Sequence, residues 1–386
     1  MELLFLTDRW PGPGGAGWHL RQVVGAAAEA GHRVTLAAGS VAPGSGGIPG
    51  LETVVVRGLG SAVASEARLG RLDGLLGTAD VVHIQNVMNP VALERAVATG
   101  RAVVTVQDHR IFCPGPGRTL PDGTPCAEPM GESACRTCLP DTAYRSRLLE
   151  LTRSRLRTLA GARAVVVLSR YMACELERAG LPGARVVPPW VEPGAPRREA
   201  GSFLLLGGRL VAHKAPLDAW EAWRLAGAPL PLLVAGEGPL GAELEGSTVL
   251  GWLDQKALLG RLRSARTLLF PARWQEPFGI LGLQALAVGT PVIVANAGGT
   301  AEWSAAGCLH VDPGSVEAMA AAIRSLAEDP GLALELGEAG RRAVAERFSR
   351  DRPGPALEGI WNETCGLASE PDEGDPGGSP FSADPL

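Results

Sequence analysis

The sequence has no apolar run long enough to cross a membrane and no excess of positive charge. Of its 386 residues, 36 are Lys or Arg and 41 are Asp or Glu, which gives a net charge of −5. Such a charge does not favour nucleic-acid binding, and without about 20 consecutive apolar residues no bilayer span is expected. Residues 1–8 have a short apolar run without a basic flank, which predicts a first strand rather than a signal peptide.

Disulfide bonds are not expected either, because a chain without a secretion signal is predicted to lie in the reducing cytoplasm. Its seven cysteines are therefore interpreted as thiols or metal ligands. Four of them crowd one Pro- and Gly-rich segment with the spacing C-x12-C-x8-C-x2-C: Cys113, Cys126, Cys135 and Cys138. Four thiols with one C-x2-C pair suit a structural zinc ion, and reduced thiols in an ordered loop are the equally weighted alternative.

The sequence does contain a repeated alternation of short apolar runs and amphipathic helical segments. In the first half, runs such as Arg33–Ala38 and Ala102–Val106 are predicted strands. The predicted helices between the strands are residues 19–30, 62–76, 91–98, 144–159 and 170–179. Continuous apolar runs of this length indicate buried parallel strands, and the strand–helix repeat indicates a sheet covered on both faces. We therefore predict an α/β protein.

A proline-rich stretch at residues 186–196 interrupts this pattern and predicts a domain boundary. The pattern resumes at residue 203, which gives a first domain 1–189 with a Cys-rich insertion 113–138 and a second domain 190–351. A helix is predicted at 352–365. The tail 366–386 is rich in Gly, Pro, Ser and acidic residues and is predicted to be disordered, since it cannot bury enough apolar surface.

The most informative motif is the segment EPFGILGLQ at residues 276–284, which follows a predicted strand and opens a predicted helix. Its ends carry a carboxylate, Glu276, and an amide, Gln284. Ligands of α/β sheets bind at the carboxyl ends of the strands. Free backbone N–H groups at a helix start suit phosphate, and the candidates here belong to Phe278, Gly279 and Ile280.

A second motif, GGRLVAHK at residues 207–214, also follows a predicted strand. Arg209 can fork onto phosphate oxygens, and Lys214 supplies a point charge. A cation at a helix start opposes the helix dipole. This placement favours a bound anion over the alternative of ordinary surface residues.

These motifs, in this order, resemble the donor site of the retaining glycosyltransferases of family four. The resemblance covers the chain up to about Cys365 and implies a GT-B architecture, in which two Rossmann-like domains with parallel sheets face each other across a cleft. The helix 352–365 would return to the first domain. Arg209 and Lys214 would hold the diphosphate of a nucleoside-diphosphate sugar, and Glu276 would orient the sugar. Gln284, near the ribose, stands where the family pattern has Glu.

The resemblance extends to three Gly-containing turns. Glu237 lies in a turn that would run beneath the nucleotide base. Glu302 belongs to a Gly-Gly-x-x-Glu turn, where capping of a helix start is the equally weighted alternative. Gly14 and Gly15 would close over the donor phosphates.

The family often has a histidine where Gln107 stands, close to the reacting sugar, and another near Gln85. Here a histidine falls at His109, and positions two apart in an extended segment share a face. Gln107 and His109 are therefore both candidate catalytic positions, with a solvent-exposed loop histidine as the alternative for His109. His19 is expected to face the cleft.

The resemblance implies a retaining hexosyltransferase that moves a sugar to an unidentified hydroxyl acceptor in polysaccharide, glycolipid or glycoside biosynthesis. The leaving phosphate would take the acceptor's proton, so no cofactor and no metal at the donor phosphates would be needed. The glutamines at 284, 107 and 85 motivate a second hypothesis, a binding or regulatory protein without turnover. A nucleotide-sugar isomerase is a weaker third.

One predicted helix bears on location. Residues 144–159 combine an apolar stripe with five arginines, which is typical of helices at an anionic membrane surface. Peripheral contact at the inner face of the membrane is one hypothesis, and a surface helix with a solvated basic face is the preferred one.

Overall fold

The computed structural model describes residues 1–42 and 47–367, which fold into two units. Among the described residues, the first unit comprises 1–107 without 43–46, then 153–188, and finally 354–367. The second comprises residues 108–152 and 189–353, so the Cys-rich insertion packs with the second unit. The predicted disordered tail, 366–386, lies outside the described residues beyond Leu367.

Thirteen strands and eleven α-helices build the described part of the chain. The strands are β1 (Glu2–Thr7), β2 (Arg33–Ala38), β3 (Leu51–Val55), β4 (Val81–Gln85), β5 (Ala102–Val106), β6 (Ala164–Val167), β7 (Arg185–Val186), β8 (Leu204–Gly207), β9 (Leu232–Ala235), β10 (Thr248–Gly251), β11 (Thr267–Phe270), β12 (Val292–Ala295) and β13 (Cys308–Val311). The helices are α1 (Gly14–Glu29), α2 (Leu72–Thr78), α3 (Pro90–Val97), α4 (Thr142–Leu159), α5 (Arg170–Arg178), α6 (Pro216–Leu225), α7 (Gln255–Ser264), α8 (Ile280–Ala287), α9 (Val316–Glu328), α10 (Pro330–Arg347) and α11 (Pro353–Cys365).

The first unit contains a seven-stranded sheet in the order β3-β2-β1-β4-β5-β6-β7. Every neighbouring pair is parallel. Strands β4 and β5 are buried along their whole length, as continuous apolar strands covered on both faces should be. Because the chain leaves β1 in one direction and returns on its other side at β4, the sheet has a topological switch point between these two strands.

The second unit repeats this design with six parallel strands in the order β10-β9-β8-β11-β12-β13. Its switch point lies between β8 and β11. One face of this sheet, including Leu206 and Ile293, packs in a core with Trp223 of α6 and Ile323 of α9. The predicted α/β class with two parallel sheets is confirmed.

The last helix, α11, packs against the first unit. Trp361 is buried, its ring meets Phe5 edge-on, and its Nε1 donates to Nδ1 of His83 at 3.0 Å. Nearer the helix start, Glu358 pairs with His32 of the same unit at 2.7 Å. These contacts tie the end of the described chain to strands β1 and β4.

The predicted helix at 62–76 is wrong over most of its length, because only residues from Leu72 onward are helical. The preceding segment is irregular, and Asn89 supplies hydrogen bonds that helix formation would otherwise provide. Its Nδ2 donates to the carbonyls of Gly58 (3.0 Å) and Ser65 (2.8 Å), and its Oδ1 accepts from the Ser65 amide. This side-chain competition for backbone groups is what breaks the helical pattern.

The basic helix α4 is less basic at its surface than its sequence indicates. Arg145 is buried and donates to the carbonyl of Leu139, and Arg155 is buried and donates to the carbonyl of Met88. Two of the five arginines are therefore used inside the protein. Within residues 1–42 and 47–367, no helix combines the length and the apolarity that a bilayer crossing needs.

Candidate functional site

At the switch point of the second unit, the loops that follow β8 and β11 meet. The first loop carries Arg209 and Lys214, and the second carries Trp274 and Glu276. Lys214 Nζ forms an ion pair with the Glu276 carboxylate. The structure therefore brings together the predicted phosphate-binding cation and the predicted sugar-binding carboxylate.

This ion pair is unequally buried. The Glu276 side chain is 5% exposed, and the Lys214 side chain is 24% exposed. A carboxylate taken out of water needs a partner, and Lys214 provides it.

The sequence analysis did not predict two further side chains of this site, Trp274 and His213. The Lys214 ammonium lies 4.7 Å from the ring centroid of Trp274, a cation–π contact. The rings of His213 and His109 lie 4.9 and 5.4 Å from the same ring. Trp274 Nε1 is buried and has no hydrogen-bond partner among residues 1–42 and 47–367. The available signal was an aromatic residue two positions before Glu276.

His213 is the neighbour that orients Arg209. Arg209 Nη2 donates to His213 Nε2 at 3.3 Å. Burial, followed by the charges of Lys214 and Arg209, lowers the pKa of His213 to about 4, although Glu276 opposes this shift. His213 is therefore neutral at pH 7 and can accept the hydrogen bond. The positive charge of the site comes from Arg209 and Lys214.

The Gly-Gly turn after β12 holds Glu276 in place. Gly298 has φ +61°, and a Cβ atom there would lie 2.5 Å from the Glu276 carbonyl oxygen. The Gly299 amide donates to the same oxygen at 2.6 Å. Glu302 is the last residue of the short 3-10 helix Gly298–Glu302.

The start of α8 is built over a buried tryptophan. Trp303 Nε1 donates to the Phe278 carbonyl at 2.6 Å, and a Cβ at Gly282 would lie 2.1 Å from the Trp303 ring. Gly279 precedes the helix with φ +87°, and no side chain caps this start. Phe278 and Ile280 are both buried in this arrangement.

Gln284 lies in the buried part of α8 and is 4% exposed. Its side chain makes no hydrogen bond to another residue of the described ranges, while Lys214 and Glu276 satisfy each other. An amide in such a position can both donate and accept.

The predicted base-binding turn packs on the loop that carries Arg209. The Leu210 amide donates to the Glu237 carbonyl at 2.8 Å, and a Cβ at Gly236 would lie 1.9 Å from the Gly208 carbonyl oxygen. The exposed Glu237 side chain accepts from the Trp252 amide at 3.2 Å. Close backbone packing therefore requires glycine in this turn.

In the first unit, Gln107 belongs to a buried polar chain. Its Nε2 donates to His19 Nδ1 at 2.7 Å, and its Oε1 accepts from Asn86 Nδ2 at 2.9 Å. Burial lowers the pKa of His19 to about 4, so this imidazole is neutral at pH 7. Gln85 is also buried, and its Oε1 has no partner among the described residues.

His109 belongs to the second unit and is 2% exposed, so its interpretation as a solvent-exposed loop histidine is wrong. Burial is the main cause that lowers its pKa to about 4. Its neighbours are Trp274, Phe112 and Gly117, whose Cβ would lie 2.9 Å from His109 Nδ1. The structure gives Gln107 and His109 different partners.

The glycine loop after β1 is open to solvent. Gly14 and Gly15 are exposed, and Gly14 begins α1 with φ +67°. A Cβ at Gly17 would lie 1.8 Å from the Gly12 carbonyl oxygen, so the loop crosses the first turn of the helix in direct backbone contact. This contact explains one of the glycines and leaves Gly14 and Gly15 uncovered.

The four cysteines of the insertion are half-buried neighbours. Burial, and then the other cysteines, raises the pKa of the Cys135 and Cys138 thiols. The Arg118 amide donates to Cys113 Sγ at 3.4 Å. In the described part of the chain, however, no three His, Cys, Asp or Glu side chains are arranged to hold a metal ion. The thiols as placed do not form a metal site.

Two Rossmann-like units, one of which presents cations beside a buried carboxylate at its switch point, define a two-domain protein of the parallel α/β class. Residues 13–194 match the model of "Glycosyltransferase Family 4", and residues 195–343 match "Glycosyl transferases group 1". The two matches adjoin, and the chain belongs to the family-four glycosyltransferases.

Relatives of known sequence match parts of the chain. It is 32% identical over 166 residues to a glycogen synthase of Mycobacterium tuberculosis, covering 39% of this chain and 40% of that protein. It is 31% identical over 197 residues to a GDP-mannose-dependent alpha-(1-6)-phosphatidylinositol dimannoside mannosyltransferase of the same species, covering 45% and 51%. The chain thus spans about half or less of the length of these relatives.

Solved structures match over nearly the whole chain. Anabaena Alr3699/HepE in complex with UDP and glucose has a TM-score of 0.67 at 17% identity, covering 94% of this chain and 100% of that one. Sucrose-phosphate synthase from Thermosynechococcus elongatus has a TM-score of 0.68 at 18% identity, covering 95% and 100%. At such identities the likeness establishes the fold, which is the GT-B architecture of two Rossmann-like domains.

Proposed function

We propose that the chain is a retaining glycosyltransferase that uses a nucleoside-diphosphate sugar as donor and a hydroxyl group as acceptor. The observation that carries the proposal is the Lys214–Glu276 pair beside Arg209 at the switch point of the second unit. The family supports the reaction class, and the UDP bound to Alr3699/HepE supports a nucleotide donor. Glycogen synthase and a GDP-mannose-dependent enzyme, both similar to this chain, leave the nucleotide and the sugar open.

Donor binding would rearrange the ion pair. The donor diphosphate takes Lys214 and Arg209 as counter-charges, and Glu276, released from Lys214, accepts hydrogen bonds from sugar hydroxyls. Negative charge then builds up on the diphosphate as its bond to the anomeric carbon breaks, and fixed cations stabilise such charge most strongly in a site shielded from water. These cations give the site a way to act without a metal ion at the phosphates.

Retention follows if the acceptor oxygen attacks the face that the diphosphate leaves. The new bond joins the acceptor oxygen to the anomeric carbon, and the acceptor's proton passes to an oxygen of the departing diphosphate. In this scheme no side chain has to remove the proton. The lowered pKa of His213 fits this scheme of proton transfer to the diphosphate. A histidine that is neutral at pH 7 is not a proton donor, and it adds no positive charge that competes with Arg209 and Lys214.

The alternative is a binding or regulatory protein that has kept the fold but not the turnover. The observation that favours it is Gln284, a buried amide where the family pattern has a carboxylate. An amide can still bond a ribose hydroxyl, and Arg209, Lys214 and Glu276 are all present, so we place the transferase first.

The test is a turnover assay with a panel of UDP-, GDP- and ADP-sugars and simple glycoside, polyol and phosphorylated acceptors. Released nucleoside diphosphate is measured, and the anomeric configuration of the product is read from its NMR coupling constant. The proposal expects release above a no-enzyme control and a product with the donor's configuration. A product of inverted configuration would contradict retention, and binding of a nucleotide sugar without release would favour the regulatory alternative.

Zinc at the four cysteines stays a separate hypothesis. The C-x2-C spacing and the proximity of the thiols support it, and their arrangement without a formed ligand set opposes it. Metal analysis of purified protein decides between bound zinc and reduced thiols. About one zinc ion per chain, absent from the double variant Cys135→Ser, Cys138→Ser, supports zinc. Metal-free protein with four titratable thiols supports reduced cysteines.

A further inference from the structure

A cavity lies in the first unit, apart from the polar chain of Gln107 and His19. Its volume is about 520 Å³, and it opens at the carboxyl ends of β1, β2 and β3. This is within the size range of small-molecule sites. Each of the three strands is followed by residues that line it: Asp8 and Arg9, then Gly39 and Ser40, then a segment from Arg57 to Arg68.

The lining is strongly cationic. Arg9, Arg57 and Arg68 all contribute, against one carboxylate, Asp8. None of the three arginine side chains has an ion pair or a side-chain hydrogen bond with another residue of the ranges 1–42 and 47–367. Arg95, by contrast, is paired with both Glu66 and Asp73. Three unpaired guanidinium groups around one cavity favour a bound anion.

The remaining lining consists of hydroxyl groups and backbone. Ser40, Ser61 and Ser65 supply hydroxyls, and Gly58 and Gly60 expose backbone. The floor is closed by direct backbone packing, since a Cβ at Gly39 would lie 2.5 Å from the Gly60 amide nitrogen and 2.6 Å from the Asp8 carbonyl. Hydroxyls and arginine forks are the groups that bind phosphate oxygens.

The cavity wall is fixed from behind. Asn89, fully buried, holds the carbonyls of Gly58 and Ser65, and Arg155 donates to the Ala62 carbonyl at 2.6 Å. Arg68 adopts φ +64°, a conformation that a non-glycine residue rarely takes. Such an outlier persists only where its surroundings hold it. The irregular segment 62–71, where a helix was predicted, is therefore held in a defined conformation and forms one wall of the cavity.

From these observations we propose that this cavity binds a phosphate group carried by a hydroxylated acceptor, with Arg9, Arg57 and Arg68 as its anion-binding residues. The identification of this ligand as the acceptor rests on the proposed function. The phosphate site itself does not depend on sugar transfer. The same chemistry is offered by a soluble polyol phosphate and by the headgroup of a phospholipid, and the experiment separates these two sources.

The experiment is calorimetric titration of the full chain with sn-glycerol 3-phosphate, with glycerol as the uncharged control, and co-sedimentation with phosphatidylglycerol or phosphatidylcholine vesicles. The variants are Arg57→Gln and Arg68→Gln. The matched control is Arg33→Gln, an exposed arginine at the opposite end of β2. Arg209→Ala is added because the donor site of the second unit also binds phosphate in our account.

We expect binding of the phosphate but not of glycerol, weakened about tenfold by each cavity variant, since one charge-assisted contact is lost. Arg33→Gln and Arg209→Ala should bind as the parent does. Binding of the soluble phosphate identifies a soluble acceptor. Binding of phosphatidylglycerol vesicles alone, lost in the same variants, identifies a lipid headgroup.

Several results would overturn the proposal. These are no binding of either probe, binding that Arg57→Gln and Arg68→Gln leave intact, and loss only in Arg209→Ala, which would move the phosphate to the donor site. The proposed function fails separately: nucleotide sugars would then neither bind nor turn over, while glycerol phosphate still bound through Arg57 and Arg68.

Discussion

The two units have the same parallel-sheet design and a switch point of the same kind, yet they treat charge in opposite ways. In the second unit, the cation and the carboxylate at the switch point, Lys214 and Glu276, are paired with each other. In the first unit, the switch point holds neutral groups, Gln107 and His19, and the arginines of the cationic cavity beside it have no ion-pair partner among residues 1–42 and 47–367. A shared topology thus fixes where a site lies and leaves its chemistry to the loops.

The difference has a functional meaning in our account. A paired site is stable without ligand, and the incoming donor exchanges one partner for another. An unpaired cationic site attracts an anion but has no carboxylate to release for hydroxyl groups except Asp8. The second unit is therefore suited to a ligand with both phosphate and sugar contacts, and the first to a ligand recognised mainly by its phosphate.

The largest expected effect comes from breaking the pair in the second unit. Glu276→Gln should lower turnover by about 100-fold or more, because it removes a charged contact aimed at the reacting sugar. Affinity for the nucleoside diphosphate without sugar should stay within a few-fold. Steady-state rates and titrations, with the exposed Glu243→Gln as control, test this. Equal turnover in the Glu276→Gln variant would contradict the role of the pair.

The second effect is one that the two units should share. His19 in the first unit and His213 in the second have pKa values lowered to about 4 from the usual 6.5. Between pH 6.5 and 4 the unfolded chain binds protons that the folded chain does not, so the free energy of unfolding must fall as the pH falls. A fully buried histidine contributes up to about 1.4 kcal/mol per pH unit.

Denaturant unfolding at pH 7, 6 and 5 checks this, with His19→Asn as the variant. The variant should lose stability less steeply with pH than the parent, and an exposed control, His310→Asn, should follow the parent. Parallel curves for His19→Asn and the parent would mean that His19 is protonated in the folded state.

Trp274→Leu should have a smaller effect, confined to the second unit. It removes the cation–π contact with Lys214 and the buried Nε1 donor that has no partner in the described residues. We expect donor affinity to fall by about tenfold, the size of one such contact in a partly dry site. Trp252→Leu, an exposed tryptophan of the same unit, serves as control in the titration. Unchanged affinity would place Trp274 outside the donor site.

The smallest effect is expected for Gln284→Glu, which restores the carboxylate of the family pattern. If the parent already turns over, as we propose, the change should alter nucleotide-sugar affinity by no more than a few-fold, since an amide and a carboxylate both accept from ribose hydroxyls. Activity that appears only in the variant would instead favour the regulatory alternative. The readout is release of nucleoside diphosphate under identical conditions.

The sequence predicted the fold and the second unit's site better than it predicted the first unit's. The strands Arg33–Ala38 and Ala102–Val106 were predicted with their observed bounds, because buried parallel strands leave a continuous apolar signal. Lys214 and Glu276, which form an ion pair in the structure, were both predicted as site residues because each lies in a loop after a strand. Local patterns carry such information.

What the sequence could not show depended on contacts between distant positions. Asn89 breaks a helical pattern that lies some 20 residues before it, and this creates the wall of the cationic cavity. The missing Cβ of Gly298 makes room for the Glu276 backbone. His109 was predicted as a candidate catalytic position with an exposed loop histidine as the alternative, and it is buried against Trp274. No local periodicity reports contacts of this kind.

The most direct test of the account is calorimetric titration of UDP, GDP and their sugars into the parent, Arg209→Ala and an exposed control, Arg261→Ala. The account predicts one-to-one binding of at least one nucleotide, weakened about tenfold or more in Arg209→Ala by the loss of a charge-assisted phosphate contact, and unchanged in Arg261→Ala. Equal affinity in folded Arg209→Ala protein, or no binding of any nucleotide to the parent, would contradict the assignment of the second unit as the donor site.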